Sequence, residues 1–371
     1  MTGARSLAGV VVLDLSRLLP GPLCTWYLQG LGARVIRVED PRPGGGDWSR
    51  HMPPYTPEGV GAWFAALNAG KESIALDLSA DAEREALLGL LAHADVLVEG
   101  YRPGVMARLG LAPDRLVERF PRLIVASLSG FGQDGPLRDR PGHDLGYAGL
   151  TGALALGARH DGVPDPPELQ LADVAGGALT GALSIAAALV ARARTGRGRW
   201  LDVSLTDGLL ALVGPHLAAT ACGSPPVPGG EALTGGLPFY RMYRCADGGI
   251  VAVAALEPKF QEALRAGLRD ALGREVELTV EDLAAAFATR PRDQWATALA
   301  DACVTPVLEP AEVLEHPLHR ARGSIVGEGA GRRVRPPFPG AGREAAMPPP
   351  TAGQDTERIL AEFGVTPAEQ P

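Results

Sequence analysis

Two β-branched apolar runs with a helix-length stretch between them constrain this chain more than any other feature. Residues 10–15 (Val-Val-Val-Leu-Asp-Leu) and 34–39 (Arg-Val-Ile-Arg-Val-Glu) read as strands. Between them Pro20-Gly21-Pro22 makes a turn, Pro22 opens a helix that runs to about residue 31, and Gly32 stops it. Strand–helix–strand is the unit from which a helix-covered parallel sheet is built. The pattern recurs as a strand at 73–78, a helix at 80–92 and a strand at 95–99. A helical pair over 104–119 then precedes a strand at 123–128. The fold class expected is α/β, with a Rossmann-like large domain on a parallel sheet. No Gly-x-Gly-x-x-Gly follows the first strand, so nothing argues for a nicotinamide or flavin nucleotide. Residues 41–69, with Gly44-Gly45-Gly46 and Pro53-Pro54, read as a long loop beside the cleft.

At 371 residues two domains are expected. A Pro/Gly-rich linker spans about 218–236, and runs at 239–244 and 250–255 flank an Asp247-Gly248 turn, which is a hairpin pattern. Helical patterns follow at 258–272, 280–288 and 292–302. The large domain is therefore expected over 1–215, completed by 321–371, with a smaller α+β domain over 225–320. A Pro-rich stretch at 335–350 is expected to wrap a surface and return to the first domain or to a partner.

A net charge of −8 argues against a nucleic-acid partner, because phosphate-backbone binding needs a basic surface. Cys24, Cys222, Cys245 and Cys303 share no Cys-x-x-Cys spacing, which fits reduced thiols in a cytoplasmic protein rather than a zinc site or a disulfide framework. The N-terminus reads straight into a strand, without a signal-peptide apolar region. The uncharged run 174–191 is at the lower limit for a membrane span. Ala and Gly dominate it and Arg192 and Arg194 follow, so a buried helix is expected, and no membrane partner. His51, His93, His160 and His216 lie in unrelated settings, and the His316/His319 pair lacks a third ligand at metal-site spacing.

Two residues stand out chemically. His143 sits on a glycine-flanked loop, Arg140-Pro141-Gly142-His143-Asp144-Leu145-Gly146-Tyr147, which lets an imidazole approach a ligand closely. Asp173 follows at the mouth of an Ala/Gly-rich helix. Two bases facing one carbon suit a reaction that removes a proton from one side and returns it to the other. On residue type alone, His143 is an ordinary loop histidine and Asp173 an ordinary helix N-cap.

Residues 7–15, 20–22, 32–39, 68–78, 94–104, 128–136 and 195–198 together resemble class III CoA-transferases, in the right order along nearly the whole chain. That resemblance implies an interlocked homodimer that takes acyl-CoA thioesters, with coenzyme A as part of the substrate and no tightly bound cofactor. Gly142-His143-Asp144 with Tyr147 looks like the α-methylacyl-CoA racemase branch. It implies epimerisation at C2 of a 2-methylacyl-CoA, a step of lipid metabolism, with His143 and Asp173 moving the proton through an enolate. Free N–H groups at the Asp173 helix start would hold the enolate, with Gly176 and Gly177 keeping that end uncluttered. Glu257, in Leu256-Glu257-Pro258, matches the racemase glutamate and is also an ordinary helix entry. The alternative within the family is a CoA-transferase working through an Asp173 acyl anhydride.

For CoA itself, the matching positions are Leu76, Asp77, Leu78 and Ser79, together with Gly142, Asp144, Leu145, Gly146 and Tyr147. Arg102 and Arg37 are the expected phosphate partners, although a strand arginine such as Arg37 is also an ordinary solvent-facing residue. One departure stands out: Asp40 and Ser79 occupy positions where the racemases often carry an arginine and a lysine, and Arg42 or Lys71 would have to compensate.

Overall fold

A computed structural model describes residues 5–157, 163–338 and 347–365. The chain divides into two units, Met1–Ala153 with Pro167–Val213 and Pro317–Pro371, and Leu154–Pro166 with Gly214–His316.

The first unit is built on six parallel strands: β1 (Val11–Asp14), β2 (Arg34–Glu39), β3 (Glu72–Ala75), β4 (Val96–Glu99), β5 (Ile124–Ser129) and β6 (Trp200–Ser204). Their order is β3-β2-β1-β4-β5-β6. β1 is central because both its edges are paired, Val12 with Val35 of β2 and with Val96 of β4. Its Val12 and Leu13 side chains are buried, which the unbroken apolar run requires. The strand order reverses between β1 and β4, and in open α/β sheets the crevice beyond the carboxyl ends at such a reversal is where ligands bind.

Parts of the first unit's strands and of the segment after β2 differ from the sequence expectations. β6 was not legible because it is an edge strand with only Val203 and Ser204 buried, and so carries no apolar run. Residues 41–69 hold regular structure: a short 3-10 turn, Trp48–His51, opened by the Asp47 side chain, and a helix, Ala62–Asn68. That helix is anchored by the buried Phe64 ring, over which the Arg50 guanidinium lies at 3.8 Å while pairing with Glu39 at 2.5 Å. β3 ends at Ala75 rather than at residue 78.

The Asp173 helix begins as a wide i→i+5 coil, Ala172–Leu179, and continues as the α-helix Thr180–Thr195. By length and composition the helix could cross a membrane, its most apolar 18 residues having a mean hydropathy of 1.9. Its glycines are packing positions rather than open N–H sites. A Cβ on Gly176 would stand 2.2 Å from the Leu205 carbonyl oxygen, and one on Gly208 would stand 2.2 Å from the Gly176 oxygen. The helix Leu205–Leu212 therefore meets this coil backbone to backbone. A Cβ on Gly177 would meet the Leu205 side chain at 2.9 Å and Pro20 at 3.1 Å.

The C-terminal segment returns to the first unit's sheet. Arg50 Nη1 donates to the Pro350 carbonyl at 2.7 Å, Ser73 N to Asp355 Oδ2 at 3.0 Å, and Ala75 N to Thr356 Oγ1 at 2.9 Å. Ile359 and Leu360 are buried in the core beneath β2 and β3, where full burial of such a side chain contributes about 1.5–3 kcal/mol. Of the Pro-rich stretch, residues 339–346 lie outside the described residues, as does His160.

The second unit carries an antiparallel sheet of β7 (Tyr240–Arg244), β8 (Ile250–Ala254) and β9 (Val304–Val307). Gly248, at φ +82°, makes the β7–β8 turn, as Asp-Gly predicts. Helices Pro258–Leu272, Val280–Phe287 and Arg292–Ala298 cover a core centred on Tyr243, Phe287 and Trp295. β9 was hidden from the sequence by Pro306 inside it, a residue that demotes an apolar run.

Gly176→Ala is expected to destabilise the protein by about 1–3 kcal/mol, the usual cost of overpacking. Gly214→Ala, where an added Cβ meets nothing within 4 Å, is the neutral control. Midpoints of urea denaturation for the two variants check this.

Candidate active site

At the carboxyl ends of β1, β4 and β5 opens a cavity of about 650 Å³. His143 and Asp173 both line it, together with four guanidinium side chains, Arg17, Arg102, Arg138 and Arg140. Leu15, Leu128, Phe131 and Leu205 supply apolar wall.

His143 is placed by the short helix Asp144–Gly149, which it precedes in extended conformation. Its carbonyl accepts the Gly146 N–H at 2.8 Å and the Tyr147 N–H at 3.1 Å. The Tyr147 hydroxyl donates back to the Gly142 carbonyl, closing the loop on itself. The Tyr147 ring meets Phe131 edge to face, with centroids 5.0 Å apart. It also lies so close over Gly130 and Gly142 that a Cβ on either would come within 2.5 Å of it. Those glycines are needed for the ring, and the ring holds the histidine loop.

Asp173 lies in the first turn of its helix, and its N–H donates to Asp144 Oδ1 at 2.9 Å. The residue after His143 thus ties the histidine loop to the aspartate helix. Burial, and then the Asp144 charge, push the Asp173 carboxyl up to about 7. Two N–H groups expected to face a substrate are already taken, that of Asp173 by Asp144 and that of Val174 by the Gln170 carbonyl at 2.8 Å.

A smaller cavity of about 160 Å³ is lined by Leu76, Leu78 and Ser79, with Asp40 and Arg42. Arg17 and Tyr101 border both cavities. Arg102 borders the large one together with Gly142 and Tyr147. Asp77 faces Ser79 and Arg42, accepting the Ser79 N–H at 2.9 Å. Leu145 and Gly146 are exposed on the short helix, and Asp144 serves the Asp173 N–H.

Arg37 corrects the sequence expectation. It is neither a CoA contact nor solvent-facing, being 1% exposed. Its guanidinium pairs with Asp47 at 3.0 Å and Asp14 at 3.5 Å and donates to Asn68 at 2.8 Å. Lys71 is likewise sealed in, donating to the Pro22 carbonyl at 2.8 Å and to Thr25 Oγ1 at 2.7 Å, and cannot compensate at a phosphate. Arg42 is exposed at the small cavity, pairing with Asp40 at 2.8 Å and donating to Ser79 Oγ at 3.0 Å. Glu257 lies in the second unit, exposed, immediately before the helix Pro258–Leu272, whose first turn its carbonyl accepts.

Sequence reasoning missed Arg17, Arg138 and Arg140. The last two stand just upstream of Gly142-His143, a local cluster of charge that was legible in principle. Among the described residues, no group of three or more His, Cys, Asp or Glu side chains is arranged to hold a metal ion.

Both the sequence and the fold of the chain match those of known proteins. The chain belongs to CoA-transferase family III, whose model matches residues 7–356. It is 38% identical to the human alpha-methylacyl-CoA racemase over 98% of this chain and 95% of that protein. It is 34% identical to the acetyl-CoA:oxalate CoA-transferase of Acetobacter aceti, covering 86% and 85% of the two chains. A CAIB/BAIF family protein from Brucella suis superposes with a TM-score of 0.83 at 29% identity, over 96% of this chain and 99% of that one.

The raised Asp173 pKa has a consequence for stability. An unfolded aspartate ionises near 3.8, so the folded form is favoured fully below that pH and loses this contribution as pH rises towards 7. Asp173→Asn removes the loss. Its melting temperature relative to the parent is expected to be higher at pH 8 than at pH 4, a difference that scanning fluorimetry reads directly.

Proposed function

We propose that this protein is an α-methylacyl-CoA racemase-like isomerase that inverts the C2 stereocentre of 2-methylacyl-CoA thioesters. The observation that carries the reading is that His143 and Asp173, brought by two separate elements, line one cavity walled by apolar side chains and rimmed by arginines. The 38% identity to the human racemase over nearly the whole chain supports it.

In one direction the neutral His143 imidazole takes the α-proton from one face of C2, and the electron pair passes into the thioester enolate. The protonated Asp173 carboxyl then delivers its proton to the opposite face, leaving an imidazolium and a carboxylate. The opposite enantiomer starts from that second state and returns the enzyme to the first. An aspartate pushed up to about 7 holds both forms near neutral pH, which is what a group that must both give and take a proton needs. Transfer of CoA through an Asp173 anhydride requires the ionised carboxylate as nucleophile, and burial works against that form.

The CoA portion runs from the small cavity at Leu76, Leu78 and Ser79 past Arg17 and Tyr101 into the large one, where Arg102, Arg138 and Arg140 meet its phosphates. CoA enters as part of the substrate. The working form is a homodimer in the cytoplasm. The exposed apolar stripe of Leu179, Leu183 and Val190 along the Asp173 helix, with Leu183 72% exposed, supports the first point. The four unpaired cysteines support the second.

Incubation of a chiral 2-methylacyl-CoA in D₂O, with no acceptor acid, is expected to give α-deuterium uptake with loss of chirality. His143→Ala and Asp173→Ala are each expected to slow exchange by about 10²–10⁴-fold. Turnover that appears only when a second carboxylic acid is added would assign the transferase reaction instead. Leu183→Asp is expected to shift the sedimentation coefficient from that of two chains to that of one.

A further inference from the structure

The turn after β1 is held in a conformation that leucine avoids. Leu18 has φ +64°, in the left-handed region, and is 41% exposed at the large cavity. Its N–H donates to both oxygens of Asp47, at 3.2 Å each. Asp47 is 2% exposed and its other lone pairs are occupied. Oδ1 accepts the Ser49 N–H at 3.0 Å and its hydroxyl at 2.6 Å, and Oδ2 accepts Arg37 Nη2 at 3.0 Å. The same Arg37 nitrogen donates to the Ser16 carbonyl at 3.2 Å, while Asp14 accepts the Ser16 N–H at 2.9 Å. Three sealed charged side chains therefore fix residues 16 and 18, and the residue between them is Arg17.

Arg17 borders both cavities, with its guanidinium over the Tyr101 ring at 5.8 Å from the centroid. It stands near enough to Asp40 to help hold that carboxyl below the usual range, after the larger effect of Arg42. The two cations near this point are not equivalent. Arg42 is engaged by Asp40, Asp77 and Ser79, whereas Arg17 rests on an aromatic face.

We propose that Arg17 supplies the phosphate-binding cation that Asp40 and Ser79 fail to provide, and that Asp47, locked by Arg37, is the positioning residue that aims it. The inference rests on the CoA reading of the cavities given above. A guanidinium offers a phosphate two parallel N–H donors, and it does so only when its backbone is held at one angle. The strain at Leu18 is the local cost of that angle, and the buried Asp47–Arg37 pair offsets it.

Calorimetric titration with free coenzyme A, and with pantetheine as the ligand lacking phosphates, tests this on the full-length protein. Arg17→Ala is expected to weaken coenzyme A binding about 10-fold and leave pantetheine binding unchanged. Asp47→Asn, which keeps the side-chain shape, is expected to weaken coenzyme A binding in the same direction. Leu18→Gly in that background is expected to recover part of the loss, because glycine adopts positive φ without a clamp. Unchanged coenzyme A affinity in Arg17→Ala, with the parent still binding, overturns the proposal and leaves the CoA reading intact. A lower melting temperature in Asp47→Asn with unchanged coenzyme A affinity reduces Asp47 to a structural residue. A parent that binds neither ligand removes the reading beneath it.

Discussion

A guanidinium sealed inside the sheet organises the rest of the first unit. Arg37 is buried on β2 beside Asp14 of β1 and Asp47 of the segment that follows β2. Removing one partner from such a group is costly, because it leaves an uncompensated charge without water. Replacing the whole set with apolar side chains is often neutral, so the cluster is better understood through what it specifies than through what it adds to stability. It specifies a join. Strands β1 and β2, the 3-10 turn at Trp48–His51 and the turn after β1 all meet at these three side chains, and Glu39, Arg50 and Ser73 extend the network towards the C-terminal segment.

On the other side of the β1–β4 reversal, the join is made by close approach. Gly176 and Gly208 let two helices touch through their backbones, which sets the height of the Asp173 turn over the sheet. Asp144 then couples that turn to the histidine loop through one hydrogen bond, and its charge contributes to the raised pKa of Asp173. One carboxylate thus helps to place its neighbour and adds to the effect of burial on its proton affinity.

The fold was largely legible because strands paired on both edges carry short runs of buried β-branched and aliphatic side chains. β1, β2, β4 and β5 do so, even with Asp14, Arg37 and Glu99 buried among them, and were read within a residue or two. β6 and β9 were not, the one because it lies at the edge and the other because proline interrupts it. His143 and Asp173 were legible through the glycine loop and the family motifs around them. Arg37 was misplaced because an arginine alternating with valine and isoleucine looks like the outward face of a strand. Nothing local reveals that Asp14 and Asp47, distant in sequence, meet it inside. Glycines 176 and 177 were misread for a similar reason: a missing side chain signals either open space or a neighbour that fills it, and the sequence does not distinguish the two.

The outer edge of β3 is finished by residues from far along the chain. Asp355 and Thr356 take the N–H groups of Ser73 and Ala75, across 282 and 281 positions of sequence. During synthesis on a ribosome, those amides are made long before their partners exist. The edge of the nascent sheet therefore lacks these partners until residues 355 and 356 emerge, an interval in which it is open to strand addition.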